Sequence, residues 1–262
     1  MVEQSAELSE KAKRGKEQLS GMQFQGSVWF DKEWLPNTET TTDYLKAYWE
    51  GCRIILESMD DKPIEGAINA IYKAWIEGKR VFVFGNGGSA GNASHFAADL
   101  AKTTMCPGKP RIKAICLNDN MSLITAWTND EGWGAVYEGQ LQNYFEPGDV
   151  CIALSVHGGS MSGNAGSWSQ NLMRGLQYSK EHGGVNIGIA GFKGGAFPQV
   201  CQHNIVIELD STAHIEAFQM VVHHAIVMRV QQLIRMHEER PGVVTPNKLN
   251  KEYIIKYLNE HL

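Results

Sequence analysis

Five short apolar runs constrain the fold of this chain most strongly. Each of them leads into or follows a stretch of helical periodicity. Most of these runs are continuously apolar, as expected for strands that are buried on both faces of a parallel sheet. Strands that alternate with helices build such a sheet and cover it with helices, so we predict one doubly wound α/β domain with about five parallel strands. The predicted strands are Arg80–Phe84, Ile112–Leu117, Val150–Leu154, Val185–Ala190 and Asn204–Leu209.

Helical patterns lie before, between and after the predicted strands. The first begins near Asp43, a candidate N-cap, and the second ends at Gly78, where a C-terminal cap belongs. Further patterns occur near residues 92–103, 119–128, 131–145, 169–182 and 212–238. Ligands of open α/β sheets bind at the carboxyl ends of the strands, so we expect the functional residues in the loops that follow the strands.

The chain divides into three predicted segments. Residues 1–41 form a helical N-terminal extension, and we expect its aromatic part, Phe24–Trp34, to pack on a neighbouring subunit. Residues 42–240 form the α/β domain, and residues 241–262 form a tail with a short helix.

Charge and composition exclude several classes of protein. The formal net charge is −5, from 24 Lys and Arg against 29 Asp and Glu, which argues against a broad surface for nucleic-acid phosphates. No apolar run reaches the roughly 20 residues that span a bilayer, and the first residues carry no apolar stretch of the signal-peptide type. The five cysteines are scattered without Cys-x-x-Cys spacing, which is typical of reduced thiols. We therefore expect a cytoplasmic protein that binds neither nucleic acid nor a membrane.

A glycine-rich loop follows the first predicted strand. It reads GNGGSAGN from Gly85 to Asn92 and leads into a helix, so its backbone amides can approach an anion. It is not a P-loop, because no Gly-Lys-Ser/Thr follows, and it does not match the dinucleotide pattern GxGxxG. A tight connection between a strand and a helix is the alternative interpretation.

Histidines and carboxylates lie on two of the predicted helices. His95 and Asp99 are four residues apart and share one helical face, so they can ligate a metal together or act as acid and base. A hydrogen bond on the helix surface is the alternative. His223 and His224 interrupt an apolar stretch of the last helix, and either can be a core histidine bonded to a backbone carbonyl.

A loop rich in serine and glycine follows the third predicted strand. Its hydroxyls and amides can bind a phosphate, and a flexible surface loop is the alternative. Residues 155–173 contain no Lys or Arg, so a phosphate would be held by neutral donors, the histidine and the start of the next helix. The candidate residues are Ser155, His157, Ser160 and Ser162.

Taken together, these segments resemble the sugar isomerase (SIS) domain and, within it, the phosphoheptose isomerases. The similarity rests on GNGGSAGNASHFAADL after the first strand, TNDEGW after the second, the serine-rich loop after the third and IGIAGFKGG at the fourth. It covers residues 42–238. The resemblance implies a homotetramer with sites at subunit contacts and, in this group, often a zinc ion.

The resemblance also implies which residues hold the metal. His95 and Asp99 occupy the positions of the family's His-x-x-x-Glu, with a carboxylate one methylene shorter. Glu216 stands where the family has glutamine, and His224 matches the family's histidine eight residues later, which favours His224 over His223. The implied ligands of a divalent metal, with Zn²⁺ as the expected ion, are His95, Asp99, Glu216 and His224.

Other positions match the family's substrate loops or depart from them. The third loop departs most, because SVHGGS stands where the family has Ser-Thr-Ser-Gly-Asn-Ser, and a second possible match begins at Ser160. This longer loop favours a sugar other than a heptose phosphate. The residues that match the substrate loops are Asn86, Gly87, Gly88, Asn129 and Asp130, and we also expect Glu216 near the substrate.

The implied activity is the isomerisation of a sugar phosphate, sedoheptulose 7-phosphate or a related sugar, between aldose and ketose. Proton transfer through an enediol needs a base, an acid and a stabilised oxyanion. We assign the base to Asp99, the acid to His224 and the stabilisation of the oxyanion to the metal. The alternatives are a non-catalytic scaffold of the same fold that binds a protein partner, and a sensor of sugar phosphates.

Overall fold

The computed structural model describes residue 36 and residues 38–160 and 169–237. The predicted extension up to residue 35, with Phe24–Trp34, lies outside the described residues, as do Ser162 and the predicted tail. The boundaries of the three segments therefore stay predictions. No helix in the described ranges combines the length and the apolar character that crossing a membrane requires.

Two helices, α1 (Thr41–Ser58) and α2 (Asp61–Glu77), precede the first strand. The predicted C-cap at Gly78 is confirmed, with φ 68°. The predicted N-cap at Asp43 is wrong, because α1 is capped by Thr40. The Asp43 backbone N–H donates to Thr40 Oγ1 at 3.1 Å, and the Thr40 hydroxyl donates to the Asp43 carboxylate at 2.7 Å. This reciprocal capping pattern places Asp43 in the first turn of the helix.

The five strands form one all-parallel sheet in the order β2-β1-β3-β4-β5. The predicted strands and their parallel arrangement are confirmed. The bounds differ from the predicted ones by at most one residue, except that the last strand ends three residues before the predicted limit at Leu209. The strands are β1 (Arg80–Gly85), β2 (Lys113–Cys116), β3 (Val150–Ser155), β4 (Val185–Ala190) and β5 (His203–Val206).

Helices cover both faces of the sheet, which confirms the doubly wound fold. Alternate residues of each strand point to opposite faces, so Val81 and Val83 belong to a core cluster that includes residues of α1, α2 and the last helix, whereas Phe82 and Phe84 belong to a second cluster on the other face. The remaining helices are α3 (Gly88–Lys102), α4 (Met121–Glu131), α5 (Val136–Tyr144), α6 (Gln170–Glu181) and α7 (Thr212–Met236).

The helix after the glycine loop, α3, begins at Gly88, four residues before the predicted start near residue 92. Its N-cap is Gly87, at φ 59°, a conformation that a residue with a side chain rarely adopts. Small residues fill this first turn and carry no apolar periodicity, which is why the sequence pattern missed it.

Candidate active site

The chain reverses its direction of winding between β1 and β3. These two strands are neighbours in the sheet, but β1 leads through α3 to β2 on one side, and β3 leads through α6 to β4 on the other. Such a reversal opens a crevice at the carboxyl ends of the two strands, which is where open α/β sheets bind ligands. The glycine loop and the serine-rich loop therefore face the same crevice.

The glycine loop is held tightly at the end of β1. A Cβ on Gly85 would lie 2.6 Å from the carbonyl oxygen of Ser89 and 3.0 Å from that of Leu154, so only glycine fits there. The backbone of Gly85 is bonded on both sides by Asn118, which accepts from its N–H at 3.1 Å and donates to its carbonyl at 2.9 Å. Asn118 lies two residues beyond the end of β2, and this position near a strand end was a signal that the sequence-based prediction did not use.

The side chain of Asn86 is tied to α6. Its amide and that of Asn171 bond reciprocally, at 2.9 Å and 2.8 Å, and the Tyr137 hydroxyl reaches Asn86 Oδ1 at 3.2 Å. Burial raises the pKa of Tyr137, so its hydroxyl stays protonated and able to donate. Asn86 thus positions the loop, and the backbone amides of Gly87 and Gly88 are the groups that the loop offers to a ligand.

Four side chains from α7 and from α3, the helix that this loop opens, meet in one cluster. His95, Asp99, His223 and His224 each bring one ligand atom, and these atoms lie within 4.8 Å of one another. The Nε2 atoms of His95, His223 and His224 lie 3.4, 3.3 and 3.3 Å from Asp99 Oδ2. The other carboxylate oxygen, Oδ1, accepts the hydroxyl of Thr103 at 3.0 Å.

These distances fit a tetrahedral metal site. Direct charge-assisted N–H···O bonds are shorter, about 2.7–2.9 Å. Zinc bonds to histidine nitrogen and carboxylate oxygen are about 2.0–2.1 Å long, which places two ligands of a tetrahedron about 3.3–3.4 Å apart. The three N···O separations in this cluster have that length. Neutral imidazoles and one carboxylate also suit Zn²⁺ chemically.

His223 differs from the other two histidines in its surroundings. Its side chain is fully buried and stacks on Phe96 with ring centroids 5.0 Å apart, whereas His95 and His224 are about half exposed. Burial and then the neighbouring His224 lower the pKa of His223 to about 4, so its imidazole is neutral at physiological pH. The neutral form is the one that ligates a metal.

Glu216 lies outside this cluster of ligand atoms. Its carboxylate packs against Gly88, and a Cβ on Gly88 would overlap it. The structure thus brings together three of the four predicted metal ligands, adds His223, and places Glu216 at the start of α3.

A cavity of about 580 Å³ adjoins the glycine loop. It contains the predicted Asn129, whereas Asp130 is not among its lining residues and accepts the Asn129 side-chain amide at 2.7 Å. Trp133 also lines the cavity, and the sequence did not predict it there. The other lining residues are Gly85, Asn86, Gly87, Ala90, Asn118, Met121, Ile124, Thr125 and Thr128.

The serine-rich loop begins with a turn that its own side chains hold. Ser155 is buried, and its hydroxyl accepts the backbone N–H of Gly158 at 3.0 Å. The ring of His157 packs on Phe192, with centroids 4.2 Å apart, and the Ser160 carbonyl accepts the side-chain amide of Gln170 at 2.7 Å. The described part of the loop is therefore built into the end of the sheet.

Comparisons with known proteins find relatives in sequence and in fold. A model of the SIS domain matches residues 43–164. The lincomycin biosynthesis protein LmbN of Streptomyces lincolnensis is 43% identical over 160 residues, which are 60% of this chain and only 57% of that protein's length. A probable phosphoheptose isomerase of Thermoplasma acidophilum is 33% identical over 190 residues, 72% of this chain and 98% of that protein. The solved structure of a phosphoheptose isomerase from Francisella tularensis shares the fold, with a TM-score of 0.62 and 21% identity over 74% of this chain and 99% of that one.

Proposed function

The chain belongs to the SIS-domain family, in the group of the phosphoheptose isomerases, and on this basis we propose that it isomerises a sugar phosphate between aldose and ketose. The observation that carries the proposal is the cluster of His95, Asp99 and His224, which joins α7 to α3, the helix that the glycine loop opens. A scaffold or a sensor without turnover would have no need of acid and base groups gathered there.

The proposed chemistry uses two side chains for proton transfer. Asp99 removes the proton from the carbon beside the carbonyl and returns a proton to the neighbouring carbon after the enediol forms. His224 donates a proton to the carbonyl oxygen through Nδ1, the ring nitrogen that does not face Asp99, and recovers one from the neighbouring hydroxyl. His224 is half exposed, so a substrate can reach it. A divalent cation held by His95, Asp99 and His224, with Zn²⁺ as the expected ion, would stabilise the developing negative charge on oxygen.

The substrate we propose is sedoheptulose 7-phosphate or a related sugar phosphate. Its carbon chain would lie in the cavity beside Asn129, against the backbone amides of Gly87 and Gly88. Its phosphate would be held by the serine-rich loop, and the residues that we propose for this role are Ser155, His157, Ser160 and Ser162. We place Glu216 on the substrate side, because its carboxylate lies at the start of α3.

We further propose a cytoplasmic homotetramer. All five cysteines are free thiols, as expected in a reducing compartment. Large apolar side chains are exposed along α1, among them Leu45, Trp49 and Leu56, and such a patch is typical of a protein interface.

Exchange of substrate hydrogen in deuterated water tests the activity. A panel of ketose and aldose phosphates is incubated with the protein in D₂O, and deuterium at the carbon beside the carbonyl is measured by NMR. Isomerase activity predicts both exchange and formation of the isomer with at least one sugar phosphate. Tight binding of a sugar phosphate without exchange would identify a sensor, and neither binding nor exchange across the panel would favour the scaffold.

A further inference from the structure

We propose that His223 is the fourth ligand of the metal centre, in the place that the resemblance assigns to Glu216, and that Glu216 stays outside the metal's ligands. This inference rests on the metal centre of the proposed function. It concerns a residue of this chain that the family's ligand pattern does not contain.

The first argument is the position of His223 in the cluster. Its Nε2 lies as close to Asp99 Oδ2 as that of His224 does, at 3.3 Å. The ring centroid of His223 lies 5.0 Å from that of His95 and 4.2 Å from that of His224. Three imidazole nitrogens therefore lie around one carboxylate oxygen. Their distances from this oxygen match the distance between two ligands of a tetrahedral zinc ion whose bonds are about 2.0–2.1 Å long.

Adjacent residues on a helix point about 100° apart, so they seldom reach the same point. His223 and His224 do so because α3 and α7 pack side by side and Asp99 lies over the border between the buried and the exposed side of α7. His223 approaches from the buried side, and His224 approaches from the solvent side. The metal position that they define lies at the rim of the groove between the two helices.

His223 lacks the hydrogen bonds of a structural core histidine. A buried histidine in a protein core normally satisfies both ring nitrogens, often with a backbone carbonyl. Among the described residues, the hydrogen bond of His223 goes to Asp99, and its buried Nδ1 has no partner. His214, on the same helix, shows the contrast, because its two nitrogens bond Ser211 and the Tyr48 carbonyl.

The carboxylate of Glu216 lies at a different point of α3 from the metal cluster. Its carboxylate lies against Gly88, the first residue of α3, where the helix dipole stabilises negative charge. Three neutral imidazoles and one carboxylate leave a divalent ion with one net positive charge, which strengthens it as an electrophile. The carboxylate of Glu216 then lies at the start of α3, on the side where we place the substrate.

Cobalt binding tests this assignment without reference to turnover. The metal-free full-length chain is titrated with Co²⁺ in competition with a chelator, and the visible absorption of the bound ion reports its coordination. His223→Leu should weaken Co²⁺ binding by at least about 100-fold and should change the spectrum. Loss of a residue that only hydrogen-bonds a metal ligand already costs up to about 100-fold in affinity, and loss of a direct ligand should cost at least as much. Glu216→Ala should leave affinity within about threefold and the spectrum unchanged, and His182→Ala, an exposed histidine on the opposite side of the sheet, is the matched control.

The opposite result overturns the proposal: His223→Leu binding cobalt like the parent, or Glu216→Ala losing affinity and changing the spectrum. A parent chain that binds neither Co²⁺ nor Zn²⁺ also overturns it, while leaving isomerase activity to the exchange assay. Should His223→Leu fail to fold, X-ray absorption of the zinc-loaded parent decides the matter. Outer-shell scattering from three imidazoles supports the assignment, and scattering from two contradicts it.

Discussion

Asp99 is the side chain around which the candidate site is organised. One carboxylate oxygen faces three imidazoles and the other accepts the Thr103 hydroxyl, so the group is fixed from both sides. Asp99 is also one methylene shorter than the glutamate that the family has at this position, so a metal or substrate bound by it would have to approach α3 more closely here.

Replacement of Asp99 by Asn should abolish the proposed reaction. The amide cannot accept the substrate proton, and removal of a general base costs roughly 10²–10⁴-fold in rate. Deuterium exchange measured on Asp99→Asn should therefore fall at least about 100-fold, with the fold intact by circular dichroism. Glu181→Gln, which removes an exposed carboxylate at the end of α6, is the control. Exchange at the parental rate in Asp99→Asn would assign the base elsewhere.

The hydroxyls of the serine-rich loop should distinguish phosphorylated from unphosphorylated sugars. A hydrogen bond to a charged group contributes roughly 1.5–3 kcal/mol, so Ser160→Ala should raise the Michaelis constant for the phosphorylated substrate about tenfold or more. Ser162→Ala should act in the same way. Kinetics are compared with the unphosphorylated sugar, for which little change is expected. Equal losses on both sugars would show that this loop does not recognise phosphate.

The first turn of α3 packs closely against Glu216, a residue that we place near the substrate. Gly88 leaves room for the Glu216 carboxylate, and a Cβ there would overlap it. Gly91, one turn further along the same helix, has open space around the position of a Cβ. The two glycines thus form a matched pair on one element.

Gly88→Ala should displace the Glu216 carboxylate and slow the reaction, with little change in stability because the displaced atoms are the end of a flexible side chain. Gly91→Ala should instead raise helix stability by about 0.5–1 kcal/mol and leave activity unchanged. Urea unfolding and steady-state kinetics of both variants measure the difference. Similar behaviour of the two variants would mean that contact between Gly88 and Glu216 has no role.

The docking of α1 on α7 should weaken in acid. His214 is buried between Ser211 and Tyr48, and a Cβ on Gly51 would come 2.7 Å from its Nε2. Burial lowers the pKa of His214 below its usual 6.5, so its contribution to stability is complete above that pH and is lost as the pH falls towards the folded-state pKa.

The test compares urea midpoints at pH 7.5 and 5.5. The loss of stability between these pH values should be smaller in His214→Gln than in the parent, because the variant has no imidazole to protonate at this position. His182→Gln, which removes an exposed histidine, should keep the parental difference. An unchanged pH dependence in His214→Gln would show that this group does not govern the acid response.

Over the whole molecule, the exposed apolar surface of α1 points to self-association. Trp49 is 60% exposed and Leu56 is 62% exposed, on a helix whose other face is packed on the domain. Leu45 continues the same side of the helix. Burial of a large aromatic side chain contributes to an interface in proportion to the apolar area removed from water.

Light scattering should therefore give the mass of a tetramer at micromolar concentration. Trp49→Glu should shift the equilibrium to smaller species, because a charge would be buried without a partner. Lys62→Glu, which also places a glutamate on the surface, should leave the mass unchanged. A monomeric parent chain would exclude the tetramer.

The sequence alone determined the sheet, the winding of the chain and the helix that carries His95 and Asp99. These features depend on periodicity and on short stretches of residues: buried parallel strands are continuously apolar, and residues four apart on a helix share a face. Local sequence signals also predicted Gly78 as a helix C-cap. They did not predict the early start of α3, because the glycine and serine residues there have no apolar periodicity.

Only the tertiary structure decided which of the distant residues meet. His223 and His224 are neighbours on α7, and their spacing could not show that both reach Asp99, because that depends on how α7 is rotated against α3. The Asn86–Asn171 pair and the contact of Glu216 with Gly88 likewise join segments far apart in the chain. Periodicity encodes the face that a helix buries, whereas the partner opposite each side chain follows from the packing of whole elements against one another.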